Sequence, residues 1–123
     1  MSKLYQIESN KAIVSWDLLA NDMGDVYNLS GWTPASVTVE GILDGASVVI
    51  EGGNNPDTEN LFMLNDPNGY PLRFDIDKIE AVLEDCLKIR PRSIGGGSIT
   101  KVTVCLLLSS TKPSRPVPAR LIT

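Results

Sequence analysis

Between Ser36 and Gly52 the chain alternates apolar and polar positions on either side of Asp44-Gly45. Asp-Gly flanked by such runs predicts a two-residue β-hairpin, because a type I′ turn needs positive φ at both central residues. A two-residue loop would pair Leu43 with Ala46, Gly41 with Val48, Val39 with Ile50 and Val37 with Gly52, all apolar or small and on one face of the pleat. The opposite face, Thr38, Glu40, Ile42, Ser47, Val49 and Glu51, is mixed and more polar. Alternation and turn chemistry agree on this register, since a slip of one residue would turn the apolar face outward.

The remaining elements follow from the same patterning. Ile13, Val14, Trp16, Leu18 and Leu19 predict a strand, closed by the turn cluster Asn21 to Asp25. Tyr27, Leu29 and Trp32 surround a Ser-Gly and predict a loop or short edge strand that lays aromatics over one end of the sheets. A second hairpin, Leu61 to Leu64 and Tyr70 to Phe74, is predicted around Asp66-Pro67-Asn68-Gly69, which suits a type I turn. Ile76, Ile79, Val82 and Leu83 fall on one helical face with Asp75 able to cap it, predicting a two-turn helix from Ile76 to Leu83. In the strand that follows, Leu87, Ile89 and Pro91 point one way and Lys88, Arg90 and Arg92 the other. Pro91 has no N–H to donate, which places this strand at an edge or a bulge. Gly95-Gly96-Gly97-Ser98 then predicts a hairpin loop leading into the longest strand, Ile99 to Ser109, with Val102, Val104, Leu106 and Leu108 facing the core. The expected fold is mainly β: a single antiparallel β-sandwich, jelly-roll-like, with one short helix and extended terminal arms. Residues 1–10 form a polar arm or a weak first strand, residues 11–109 the sandwich, and residues 110–123 a Pro-rich arm of polyproline character.

Composition narrows the chemistry. Histidine is absent, which removes the commonest general base and metal ligand and every Ser-His or Cys-His pair, so an enzyme is not expected. The only cysteines, Cys86 and Cys105, lack CxxC spacing and read as small buried residues, with a disulfide between neighbouring strands as the alternative. No apolar run approaches the roughly 20 residues of a membrane helix, and the first ten residues lack a secretory core; no membrane contact is expected, and the protein is expected to stay in the cytosol where it is made or to leave inside a larger particle. Lys112, Arg115 and Arg120 give the C-terminal arm +3, leaving −7 for the rest of a chain whose net charge is −4. An acidic body argues against nucleic-acid binding, and the basic arm suits an acidic surface.

Candidate sites each have a plain alternative. The triple glycine lacks the Lys-Ser/Thr and the helix of a phosphate loop, and reads as a turn. Asp66, Asp75, Asp77, Glu80, Glu84 and Asp85 do not match a calcium-loop order, and no metal or other cofactor is expected. Trp16, Tyr27, Trp32 and Tyr70 could make a sugar platform, or fill the core. Lys88, Arg90 and Arg92 form a basic stripe, either solvated and paired with nearby acids or a docking strip for an acidic partner. On the arm, Lys112, Arg115 and Arg120 supply charge, while Leu121 and Ile122 supply an apolar grip.

Several of these pieces recur together in a known group. Val-Thr-Val-Glu-Gly at 37–41, Gly-Ala-Ser-Val-Val-Ile-Glu-Gly at 45–52 and Leu-Asn-Asp-Pro-Asn-Gly-Tyr-Pro-Leu-Arg-Phe at 64–74 come first. Ile-Arg-Pro at 89–91, the glycine run and Val-Thr-Val-Cys-Leu-Leu-Leu at 102–108 follow. From Ser36 to Leu108 the chain resembles small tailed-bacteriophage head structural proteins, the capsid decoration or cement proteins. It departs from their pattern between Gly52 and Asn60, where Gly-Asn-Asn-Pro-Asp-Thr-Glu stands in place of a serine-rich turn. The resemblance implies a virion protein assembled in the host cytoplasm, bound to the major capsid protein on the outer head surface and stabilising it. Exposed edges and a small core add an expected homodimer or homotrimer. The alternatives are a tail, connector or fibre-base component, or a carbohydrate-binding module displayed on the virion.

Overall fold

The computed structural model describes residues 2–110. Ten strands run in chain order: β1 (Lys3–Glu8), β2 (Lys11–Leu18), β3 (Tyr27–Asn28), β4 (Trp32–Ile42), β5 (Ser47–Gly53), β6 (Phe62–Met63), β7 (Arg73–Phe74), β8 (Lys78–Ala81), β9 (Lys88–Ile94) and β10 (Lys101–Ser110). Sheet A has the order β1-β2-β10-β4-β8, and sheet B the order β3-β9-β5-β6 with β7 also on β5. All described pairings are antiparallel. The leader is thus a strand from Lys3 to Glu8, on the outer edge of sheet A.

One core joins the two sheets. Val14, Trp16 and Leu18 of β2, Val37 and Val39 of β4, and Val102, Val104, Leu106 and Leu108 of β10 belong to the same buried cluster as Val48 and Ile50 of β5, Phe74 of β7 and Ile89 of β9. Burying each such side chain contributes about 1.5–3 kcal/mol. The apolar positions read from the alternation are therefore the core positions, with Leu43 packed at the margin.

Their pairing differs from the expected hairpin. Asp44 (φ 48°) and Gly45 (φ 83°) do make the tight turn, closed by the Ala46 amide donating to the Leu43 carbonyl at 2.9 Å. The strands on either side nevertheless part: β4 enters sheet A beside β10, and β5 enters sheet B beside β9. Val39 pairs with Val104 and Ile50 with Pro91, so Val39 and Ile50 sit in opposite sheets instead of side by side. Alternation identifies a buried face, but the same face serves a neighbour in the sheet or a partner across the core. Gly41 lies close against β10: with φ 133°, a Cβ there would strike the Lys101 carbonyl. The glycine loop also crosses between sheets, from β9 to β10, instead of closing a hairpin. Thr100 fastens the two crossings together, its hydroxyl donating to the Leu43 carbonyl (3.0 Å) and accepting from the Gly97 amide (2.9 Å).

The short helix is overturned outright, and no helix occurs among the described residues. Lys78–Ala81 is strand β8, paired with Ser36 to Val39. Only Val82 of the supposed helical face is buried, while Ile76, Ile79 and Leu83 are exposed. Two turns of isolated helix are marginal, and the open edge of β4 offers the segment a ladder of hydrogen bonds instead. Asp75 is no cap; its carboxylate accepts from the Ser47 hydroxyl. The second hairpin forms at its tip, where Asp66 accepts from the Gly69 amide and Asn65 bridges Pro71. Lower down, both of its arms lie along β5. The strand carrying Pro91 is not an edge: β9 lies between β3 and β5, and Pro91 stands past the end of the two-residue β3, where the Gly24 amide donates to its carbonyl at 2.9 Å.

Two predictions follow from this packing. Val39→Asp or Val104→Asp leaves an unpaired charge in the core and abolishes the cooperative melting transition; near-wild-type melting of either would refute the β4–β10 pairing. The Glu84 carboxylate holds the hairpin by accepting from the Asn65 amide (2.8 Å) and side-chain Nδ2 (2.7 Å). Burial alone would raise its pKa, but these bonds bring it below the ordinary value of 4.5. A depressed carboxylate pKa contributes stability above the unfolded value and loses it as pH falls through the folded value. Asn65→Ala should therefore be less stable than wild type at neutral pH, and denaturant melts should show the gap closing below pH 4.5.

Candidate functional site

Strand β5 is buried along both faces from Ser47 to Gly52. Val48 and Ile50 enter the core; Ser47, Val49 and Glu51 lie beneath side chains on the outer face of sheet B. Directly opposed residues share a face, so Arg90 lies over Glu51, and Arg92 and Arg73 flank Val49 from β9 and β7. Val49 is fully buried on this face.

Glu51 organises this face. Its side chain is only 8% exposed, and its Oε1 accepts from Arg90 Nε at 3.1 Å while Oε2 accepts from Arg92 Nη2 at 2.8 Å and Nε at 3.2 Å. Arg73 donates through Nη2 to the Ser47 hydroxyl (3.0 Å) and lies 3.5 Å from Asp75. The Ser47 hydroxyl, donated to Asp75, holds that carboxyl below its ordinary pKa against the opposing effect of burial, with Arg73 and Lys78 helping. Lys88 donates to the Thr58 carbonyl (2.8 Å) and the Pro56 carbonyl (3.4 Å), fastening that loop to β9.

The expected basic stripe is thus divided by its contacts. Arg90, 13% exposed, and Lys88 are occupied within the fold; Arg92 (36%) and Arg73 (54%) keep guanidinium edges toward solvent. Arg73 was missed in the sequence, because its place beside Val49 depends on β7 joining β5. Lys112, Arg115, Arg120, Leu121 and Ile122 lie outside the described residues. Trp16 is buried, its Nε1 donating to the Asp25 carbonyl at 2.9 Å, and Tyr27 and Trp32 pack on the core, so of the two readings of these aromatics the core role holds for three and no sugar platform forms from them; Tyr70 stands exposed. Both cysteines are free and half-buried; burial, then the neighbouring Asp85 and Glu84, pushes the Cys86 thiol up to about 11. Burial raises Cys105 as well. Neither thiol is an activated nucleophile.

The outer face of sheet A is dressed differently. Tyr5, Ile13 and Leu107 align across β1, β2 and β10, and Cys105, Thr38 and Ile79 align in the adjoining row across β10, β4 and β8. Ile13, Ser36, Thr38, Ile79, Cys105 and Leu107 line a shallow groove of about 200 Å³. Solvated sheet faces are ordinarily polar; here Tyr5 and Ile79 are 55% and 63% exposed. Lys11 lies at one end of this apolar strip, and Asp17 and Glu40 at the other, all on the same face.

No protein-family model, curated protein or solved structure matches this chain.

Glu51→Ala would strand Arg90 in a nearly closed environment, and breaking such a pair typically costs about 3 kcal/mol or more. Arg92→Ala removes a half-exposed partner and should cost under about 1 kcal/mol. Urea denaturation of both variants checks this; equal losses would show that Glu51 is not the anchor.

Proposed function

We propose that the protein is a bacteriophage capsid decoration (cement) protein, a structural component of the virion that binds the major capsid protein on the outer head surface. The observation that carries the reading is a two-sheet body with a contact surface on each outer face: an apolar strip on sheet A and arginines braced by a buried carboxylate on sheet B. The placement on a phage head rests on the motif resemblance between Ser36 and Leu108.

The two faces take different partners. Sheet A receives a second copy of this chain, stacked face to face with its strands reversed. That arrangement buries Ile13, Leu107 and Ile79 against their equivalents and brings Lys11 of one copy toward Asp17 and Glu40 of the other. Arg73 and Arg92 on sheet B contact carboxylates of the shell, and Lys112, Arg115 and Arg120, with Leu121 and Ile122, extend that contact by their charge and apolar grip. No catalytic step is assigned to the chain.

The test uses particles stripped of the protein. Wild type should rebind them, more weakly as salt rises. An Arg73→Ser/Arg92→Ser variant should bind less well at low salt, the difference closing at high salt. Light scattering should give a dimer for wild type and a monomer for Ile79→Asp. Binding to tails but not heads favours the tail or connector reading; binding that ignores both arginines and salt overturns the proposed shell contact.

A further inference from the structure

At the end of the sandwich away from the two crossing turns, β5 runs out at Gly52 and Gly53 into an asparagine-rich loop. A cleft of about 370 Å³ opens there, between Gly52, Asn54, Asn55, Asn60, Phe62 and Asp85. This volume falls within the range of small-molecule sites, roughly 300–1,000 Å³. Its floor depends on glycine: a Cβ at Gly52 would meet Cys86 Sγ at 2.8 Å and Leu64 at 3.0 Å.

Phe62 is the anomaly. It stands opposite Gly52, on the core-facing side of sheet B, yet is 72% exposed at the mouth of the cleft. Around it the polar groups are positioned but incompletely used. Asn54 Oδ1 accepts from the Leu87 amide at 2.9 Å and Asn55 Oδ1 from the Asp57 amide at 3.0 Å, which fixes both side chains and leaves their Nδ2 groups to donate elsewhere. The Asn60 side-chain amide and the Asp85 carboxylate make no hydrogen bond or ion pair among the described residues.

An aromatic face, fixed amide donors and a carboxylate acceptor complement the C–H face and hydroxyls of a sugar ring. The charge selects among ligands. Glu84 and Asp85 line the cleft and no Lys or Arg does, so phosphates and acidic sugars are repelled. No group of three or more acidic or Cys side chains converges to hold a cation among the described residues. We propose that this cleft binds a neutral saccharide unit, with a pyranose stacked on Phe62, its hydroxyls accepting from Asn54, Asn55 and Asn60 and donating to Asp85. The site is separate from the four aromatics singled out in the sequence, and the inference does not rest on the capsid reading.

The experiment is titration of the ¹⁵N-labelled full chain with glucose, galactose, mannose and N-acetylglucosamine at roughly millimolar concentrations, the range of weak single-site binding. At least one sugar should shift the side-chain amides of Asn54, Asn55 and Asn60 and the backbone amides of Gly52 and Gly53 together, and saturably. Phe62→Ala, at an exposed position, should keep the folded spectrum and weaken binding by about tenfold or more; Asp85→Asn should also weaken it. Tyr70→Ala, which removes an equally exposed aromatic outside the cleft, should change nothing. Absence of a saturable shift with all four sugars, equal shifts with glycerol, or binding unchanged in Phe62→Ala would overturn the assignment.

Discussion

A carboxylate held under a sheet face has to be answered by charge, and in this protein that requirement governs sheet B. Glu51 lies on a strand buried from both sides. Removing an ion from water costs several kcal/mol unless partners with good geometry replace the water. Arg90 and Arg92 supply them from β9, and they can do so only where the alignment keeps them on the outer face. A slip of one residue would bring Ile89 and Pro91 to the outer face and leave Glu51 without a partner. The apolar alternation of β9 and the charge of Glu51 therefore impose the same alignment from opposite sides of the sheet. That alignment also places Gly52 between Ile89 and Phe62, which sets the floor of the open-end cleft.

How much of this could be read in advance follows from the range of each signal. Side-chain alternation is local, and it correctly separated Val37, Val39, Val48, Ile50, Val102, Val104 and Leu106 from the outer faces. Whether two strands share a sheet is not local. Asp44-Gly45 makes the same turn in a hairpin as in a crossing, and the contact that ties the crossing down, Thr100 donating to the Leu43 carbonyl, comes from far away in sequence. The supposed helix failed for a related reason. Its apolar spacing was real, but Ile76 and Ile79 have no core to enter, and the vacant edge of β4 decided the segment's conformation.

The candidate surfaces were legible only in part, for the same cause. Lys88, Arg90 and Arg92 could be assigned to an outer face from the sequence. Their division into occupied and available groups required knowing that Glu51 lies beside them, across 39 residues of chain. Arg73 carries no local mark at all. The cleft had one readable hint, three asparagines close before an aromatic, which turn propensity explains equally well until Phe62 is seen unburied.

These surfaces bear on how a decoration protein of this shape would act. Under the proposed stacking, sheet A of each copy lies inside the dimer, and the two arginine faces point in opposite directions. Such a dimer cannot lay both faces on one flat surface. It can place them against two neighbouring shell subunits whose acidic walls face each other. The buried Glu51 matters more in that position than on a free surface, because a bridge under load transmits force through the side chains that make contact. An arginine held at Nε by a fixed carboxylate has lost much of its conformational freedom before binding, so less ordering entropy opposes the contact. If the proposed stacking holds, the dimer would bridge neighbouring subunits at the outer head surface, with the open ends and their clefts at opposite extremities of the pair.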